Sequence, residues 1–265
     1  MAKLRVVTGK KGSGKSLYAV RQVIDQLRFT DRFIVTNLAL FPDRLNEYMQ
    51  ERWPDYDCRV LQRLVVVEDK RMLQQFWRIR GRNADGSLIV RQKFGEYEEQ
   101  AVDGRLVRVP WDYVQHVAYV IDEGQAFFNA REWSKTGSEL GDYASQMRKL
   151  DDEVWVLCPW LRGLDIQFKG YADECIVLQN FYKLKFKGMT MPRMIRWLSY
   201  DNCPPLPGEE PFQKGNFEMD IAGVASCYAT EKGANVAGSQ ADKGSIARGV
   251  PWWMGVVGAG IGLLC

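Results

Sequence analysis

Histidine is nearly missing from this chain of 265 residues, which carries only His116. Cysteine is sparse too: Cys58, Cys158, Cys175, Cys203, Cys227 and Cys265 show no paired spacing. Together these two shortages argue against a zinc site. Cys158 and Cys175 lie in apolar runs and read as core thiols of a reduced, cytoplasmic domain. An excess of one charge is also lacking. The balance of 36 Lys and Arg against 33 Asp and Glu leaves +3, too little to indicate a nucleic-acid coat by itself. The first residues run straight into an apolar stretch, so no cleavable signal peptide is expected. Core material is not short. A hydrophobic share of 46% and an aromatic share of 12% argue against disorder, and the length suits one α/β domain with appendages.

What is present begins with Gly9-Lys10-Lys11-Gly12-Ser13-Gly14-Lys15-Ser16. Leu4-Arg5-Val6-Val7 precedes it and Leu17 to Ile24 follows, giving strand, glycine-rich loop and helix in the order of a phosphate-binding P-loop. The glycines let successive N–H groups turn toward a β-phosphate, and the helix adds its positive dipole end. Lys15 is placed to reach the β- and γ-phosphates, and the Ser16 hydroxyl to hold Mg²⁺. ATP and Mg²⁺ are therefore the expected ligands.

Phe33 to Thr36 reads as a second strand, 43–52 as a helix behind Pro42, and Leu64 to Val67 as a small buried strand. Met72 to Ile79 has helical spacing. Residues 81–112 place four glycines between alternating runs and predict an inserted β-hairpin or lid. The core resumes at His116 to Ile121, followed by a helical stretch from Trp133 to Leu150 and strands at 154–158 and 175–179. This alternation predicts a mainly parallel sheet flanked by helices. Residues 182–200 alternate apolar and basic and predict an appended antiparallel hairpin. Structure is expected to thin out beyond residue 200, with 201–249 a loop and linker region. The domain expected is thus 1–200.

Residues 250–265 form an uncharged run with Trp252 and Trp253 at its start and Lys243 and Arg248 before it. At about 1.5 Å per residue the run falls short of a roughly 30 Å hydrocarbon core. It reads as a membrane span, cut short or in a thin bilayer, with its N-terminal side cytoplasmic; a buried core helix is the alternative.

Val120-Ile121 runs into Asp122-Glu123, the form of a P-loop enzyme's second motif. Asp122 would bind the Mg²⁺ held by Ser16, and Glu123 would polarise the attacking water as general base. An arginine would stabilise the leaving phosphates. Arg131, Arg148 and Arg162 are the candidates, with Arg148 preferred.

The strand and P-loop start, Val120 to Ala126, and Met147-Arg148-Lys149-Leu150 resemble the Zot-like family, which includes assembly ATPases of filamentous bacteriophages. The resemblance implies a cytoplasmic ATPase domain, a linker, a membrane span and a role in phage extrusion at the host inner membrane. It also implies coat and assembly proteins and an outer-membrane channel as partners. Members often carry a polar Thr-Gln pair after the strand that follows the acidic pair. Here the strand ends Leu157-Cys158-Pro159-Trp160, so Gln125 or Gln146 would have to sense the γ-phosphate. Such motors commonly form rings, which implies a homo-oligomer.

Two other readings stay open. A nucleic-acid translocase would use a basic, aromatic channel for single-stranded DNA, for which Lys183, Lys185, Lys187, Arg193 and Arg196 among Phe186, Trp197 and Tyr200 are candidates. A nucleotide-gated scaffold would bind ATP and barely hydrolyse it.

Overall fold

Val117-Ala118-Tyr119-Val120-Ile121 buries every one of its residues. That is the pattern of a strand covered on both faces, and it recurs at Phe33-Ile34-Val35-Thr36. In the computed structural model, the described residues are 2–55, 57, 59–91, 98–102, 105–109, 116–129, 133–180, 185–186, 189–190, 194–218 and 221–228.

In chain order the main elements are β1 (Lys3–Thr8), α1 (Lys15–Phe29), β2 (Phe33–Thr36), α2 (Pro42–Arg52), β3 (Leu64–Val66) and β4 (Val117–Ile121). There follow α3 (Trp133–Leu150), β5 (Glu153–Cys158), α4 (Ile166–Gly170), β6 (Glu174–Asn180), β7 (Met194–Tyr200) and β8 (Gln213–Glu218). The strands join in one sheet of eight, in the order β8-β7-β6-β1-β5-β4-β2-β3. The run from β6 to β3 is parallel. β7 and β8 are antiparallel and form one edge.

Alternation along the strands splits the core. Val7, Ala118, Val120 and Leu157 pack with α1 and α2 on one face. Leu4, Val6, Tyr119, Val156 and Cys158 pack with α3 and α4 on the other. This second face holds an aromatic cluster in which Phe76 meets Trp77, Tyr119, Phe128 and Tyr143 at centroid distances of 4.8–5.8 Å. Because the central strands are parallel, their C-terminal ends share one rim, where open α/β sheets bind ligands.

The 81–112 insert contains two hairpins, Ile79–Arg82 with Leu88–Val90 and Glu98–Val102 with Arg105–Val109. The first is rooted at the opposite rim. Buried Arg80 reaches Asp152, just before β5, through Nη1 at 2.5 Å and Nη2 at 2.9 Å. Asp152 also accepts from the Val117 N–H at the start of β4 (3.0 Å). A lid over the loop would hinge at the other rim, so the first hairpin does not have that placement. The helix expected over 72–79 ends early: Lys70–Gln74 is helical, and the chain turns through Phe76–Arg78 into the hairpin strand.

Two further expectations change. The appended hairpin is made by β6 and β7, and among the described residues of the connection Lys185–Phe186 pairs with Met189–Thr190. The sheet also continues past residue 200, because Gln213–Glu218 pairs with β7. Its polar sequence, Gln-Lys-Gly-Asn-Phe-Glu, hides the strand, and an edge position tolerates that. The chain divides into units at 1–229 and 230–265. Most of the linker, 229–249, and the apolar run, 250–265, lie outside the described residues. Among the described residues no helix is long and apolar enough to cross a membrane.

Candidate functional site

β1 delivers the glycine-rich loop to the shared rim. The Ser13 N–H donates to the Lys10 carbonyl at 2.9 Å, closing a turn. Gly14 has φ +94°, and a Cβ there would lie 2.1 Å from Ile195 Cδ1 on β7, so only glycine fits. α1 then starts with no side chain capping Gly14 and no acidic residue in its first turn. Its first N–H groups thus face the loop unanswered by a carboxylate, the condition for anion binding.

Three further details concern the cradle. Lys15 Nζ donates to the Gly9 carbonyl at 2.8 Å. Asn180, at the end of β6, donates through Nδ2 to the Gly12 carbonyl at 2.9 Å, steadying the loop from the neighbouring strand. Ser13 Oγ is buried and has no hydrogen-bond partner. Lys10 and Lys11 are exposed. An uncapped helix start, a ready ammonium and an orphaned hydroxyl in the loop fit a bound phosphate chain.

The acidic pair arrives on β4. Ser16 Oγ donates to Asp122 Oδ2 at 3.3 Å, joining residues 106 apart in sequence. These are the two side chains expected to share Mg²⁺, and they fit that role as neighbouring oxygen donors. Burial holds the Asp122 carboxyl above the usual carboxylate range, while the Glu123 N–H, Ser16 and Lys15 pull it down.

A residue without a sequence signal fixes this geometry. Asn37, just beyond β2, accepts the Asp122 N–H through Oδ1 at 2.7 Å and donates through Nδ2 to the Asp122 carbonyl at 2.9 Å. Only the pairing of β2 with β4 brings it there. Glu123 follows in the left-handed region at φ +53°, a strained backbone for a residue with a side chain. Its exposed carboxylate accepts from Gln125 Nε2. Gly124 is packed so closely that a Cβ would lie 2.2 Å from Val156 Cγ1.

β5 lies between the loop strand and the acidic-pair strand, and it ends in Cys158 opposite Thr8. The thiol is buried, and burial pushes it up to about 12, so it is neutral in this setting. Of the two glutamines considered as sensors, Gln125 lies beside Glu123, whereas Gln146 is exposed on α3.

The arginines separate. Arg148 is exposed near the end of α3 and pairs at 3.0 Å with Asp173, at the opposite rim, so its own chain does not bring it to the loop. Arg162 is exposed in the turn after β5, at the loop's rim. Arg131 lies outside the described residues, as do Lys183, Lys187 and Arg193. Among the described residues no group of three or more His, Cys, Asp or Glu could hold a metal ion. A cleft of about 360 Å³ elsewhere includes Lys3, Arg5, Glu153 and Glu174, which pair with one another.

The family model for zonular occludens toxin (Zot) matches residues 3–196. The chain belongs to the Zot family. Among solved structures, the crystal structure of the N-terminal domain of zonular occludens toxin from Neisseria meningitidis is similar at 16% identity and a TM-score of 0.45. The match covers 86% of this chain and 100% of that one. No curated protein compared with the chain matches it. Gly9 to Ser16, Asp122 and Glu123 all lie within the matched residues.

Proposed function

We propose that this Zot-family domain is an ATP hydrolase that drives assembly and extrusion of a filamentous phage at the host inner membrane. The observation that carries the hydrolase reading is the Ser16–Asp122 contact at 3.3 Å, which unites the two motifs at one rim. The loop N–H groups and Lys15 would hold the phosphates, and Ser16 with Asp122 would hold Mg²⁺. The metal supplies neutralisation of the charge that develops on the phosphates. Glu123 would take the proton of the attacking water. Family membership supports the assembly role. Residues 250–265 would anchor the chain in the membrane, with coat and assembly proteins and an outer-membrane channel as partners. A second copy would complete the site with an arginine, since Arg148 points away from its own loop.

The test is ATP turnover by the full-length protein in detergent, beside Lys15→Ala and Glu123→Gln. Turnover that both substitutions abolish supports the reading. Tight ATP binding without turnover overturns it in favour of a nucleotide-gated scaffold. One observation favours that second reading: the strand between the motifs ends in a neutral, buried Cys158, where the family resemblance implies a polar pair.

A further inference from the structure

Glu123 is exposed on a strained backbone, yet its carboxylate is not left to solvent. One oxygen, Oε2, accepts the amide of Gln125 two residues on. The amide is itself confined. Gln125 lies in the short turn Gly124–Ala126, and its Oε1 is buried with no hydrogen-bond partner. The turn after β5 packs against the base of the side chain: a Cβ at Gly163 would lie 2.9 Å from Gln125 Cβ. Turning the amide over would bring Oε1 against the Glu123 carboxylate, oxygen to oxygen. The hydrogen bond to Glu123 therefore decides which way the amide faces. An orphaned buried carbonyl is a cost that ordinary packing avoids.

We infer that Gln125 is a positioning residue for Glu123. By fixing one carboxylate oxygen it leaves the other aimed for a water, as a third group orients the base in nucleophile–base–orienter sites. The inference rests on the hydrolase reading. It also gives Gln125 a different task from γ-phosphate sensing, since the bond goes to the base. Among the described residues, Asp122 and the Cys158 thiol interact electrostatically with Glu123.

Steady-state ATP turnover and ATP affinity of the full-length protein in detergent test this, with wild type, Glu123→Gln, Gln125→Ala and Gln125→Glu side by side. Gln125→Ala is expected to lower kcat by about tenfold to a hundredfold, the usual effect of losing an orienting partner, with KM and Kd for ATP nearly unchanged. Gln125→Glu should be as slow, because it puts an acceptor where the donor to the Glu123 carboxylate was. An unchanged kcat in Gln125→Ala overturns the inference. So does a parallel loss of kcat and ATP affinity, or a Gln125→Glu variant as fast as wild type. Wild type without turnover fells the hydrolase reading and this inference with it. Turnover that Glu123→Gln abolishes and Gln125→Ala keeps fells this inference alone.

Discussion

Removing the Asn37 side chain should loosen Asp122 without touching the phosphate loop. The clamp consists of two hydrogen bonds, at 2.7 and 2.9 Å, to the Asp122 N–H and carbonyl. Each such bond contributes about 1 kcal/mol net, and a partly buried backbone group left unmet costs about 1–3 kcal/mol. Asn37→Ala is therefore expected to cost about 2–4 kcal/mol. At roughly 2–4 °C per kcal/mol for a domain of this size, Tm should fall by roughly 5–15 °C. Asn37→Asp separates the two contacts. It keeps the acceptor for the Asp122 N–H, turns the donor into an acceptor against the carbonyl, and adds charge beside a carboxyl that burial already holds high. It should impair Mg²⁺-dependent ATP binding more than Asn37→Ala does. Metal-free nucleotide binding should be alike in the two variants. Thermal melts and ATP titrations with and without Mg²⁺ would show this. A Tm within a degree or two of wild type for Asn37→Ala, with Mg²⁺ dependence intact, would refute the clamp.

Gly14→Ala faces both a left-handed backbone, worth about 1–2 kcal/mol, and the Ile195 methyl at 2.1 Å. ATP affinity should fall, and adding Ile195→Ala should restore only part of it; full recovery would show that crowding alone excludes a side chain. Arg80→Met strands Asp152 and should cost about 3–5 kcal/mol, whereas pairing it with Asp152→Leu should recover only part of the loss, because the buried Val117 N–H then loses its acceptor. ATP affinity should not change in either, because the pair sits at the far rim; urea midpoints and ATP titration check both claims. Asp122→Asn should destroy Mg²⁺-dependent binding yet stabilise the nucleotide-free protein at neutral pH. The Asp122 carboxyl is raised in the fold, so its opposition to folding grows as pH rises through that value and vanishes below the unfolded pKa of about 3.9. A stability gap that widens toward acid would refute the sign.

The parallel sheet and the two motifs were legible because each is a local pattern. Apolar runs such as Val117 to Ile121 announce a doubly covered strand, and Gly9 to Ser16 carries its own turn chemistry. What escaped depends on neighbours across the sheet. Asn37 and Asn180 are ordinary strand-end residues in sequence, and only the β2–β4 and β6–β1 pairings bring them to Asp122 and Gly12. The strand Gln213–Glu218 lacks an apolar rhythm because it is an edge, and its Gly215 lies under Trp197, where a Cβ would come within 2.8 Å of the ring.

The same reasoning explains why the insert's first hairpin is no lid over the loop and why Arg148 is not brought to its own loop. Sequence order places both between the P-loop and the later strands, but a parallel sheet has two rims. Helix α3 carries the chain back from the end of β4 to the start of β5, so Arg148 near its end belongs to the far rim. Arg80 is held there as well, against Asp152, which in turn accepts from the N–H of Val117, the first residue of β4. The two strands tied at that end, β4 and β5, are those that finish at the other rim in Asp122-Glu123 and in Cys158. The first hairpin is thus tied, through Asp152, to the strand that carries the acidic pair at its other end.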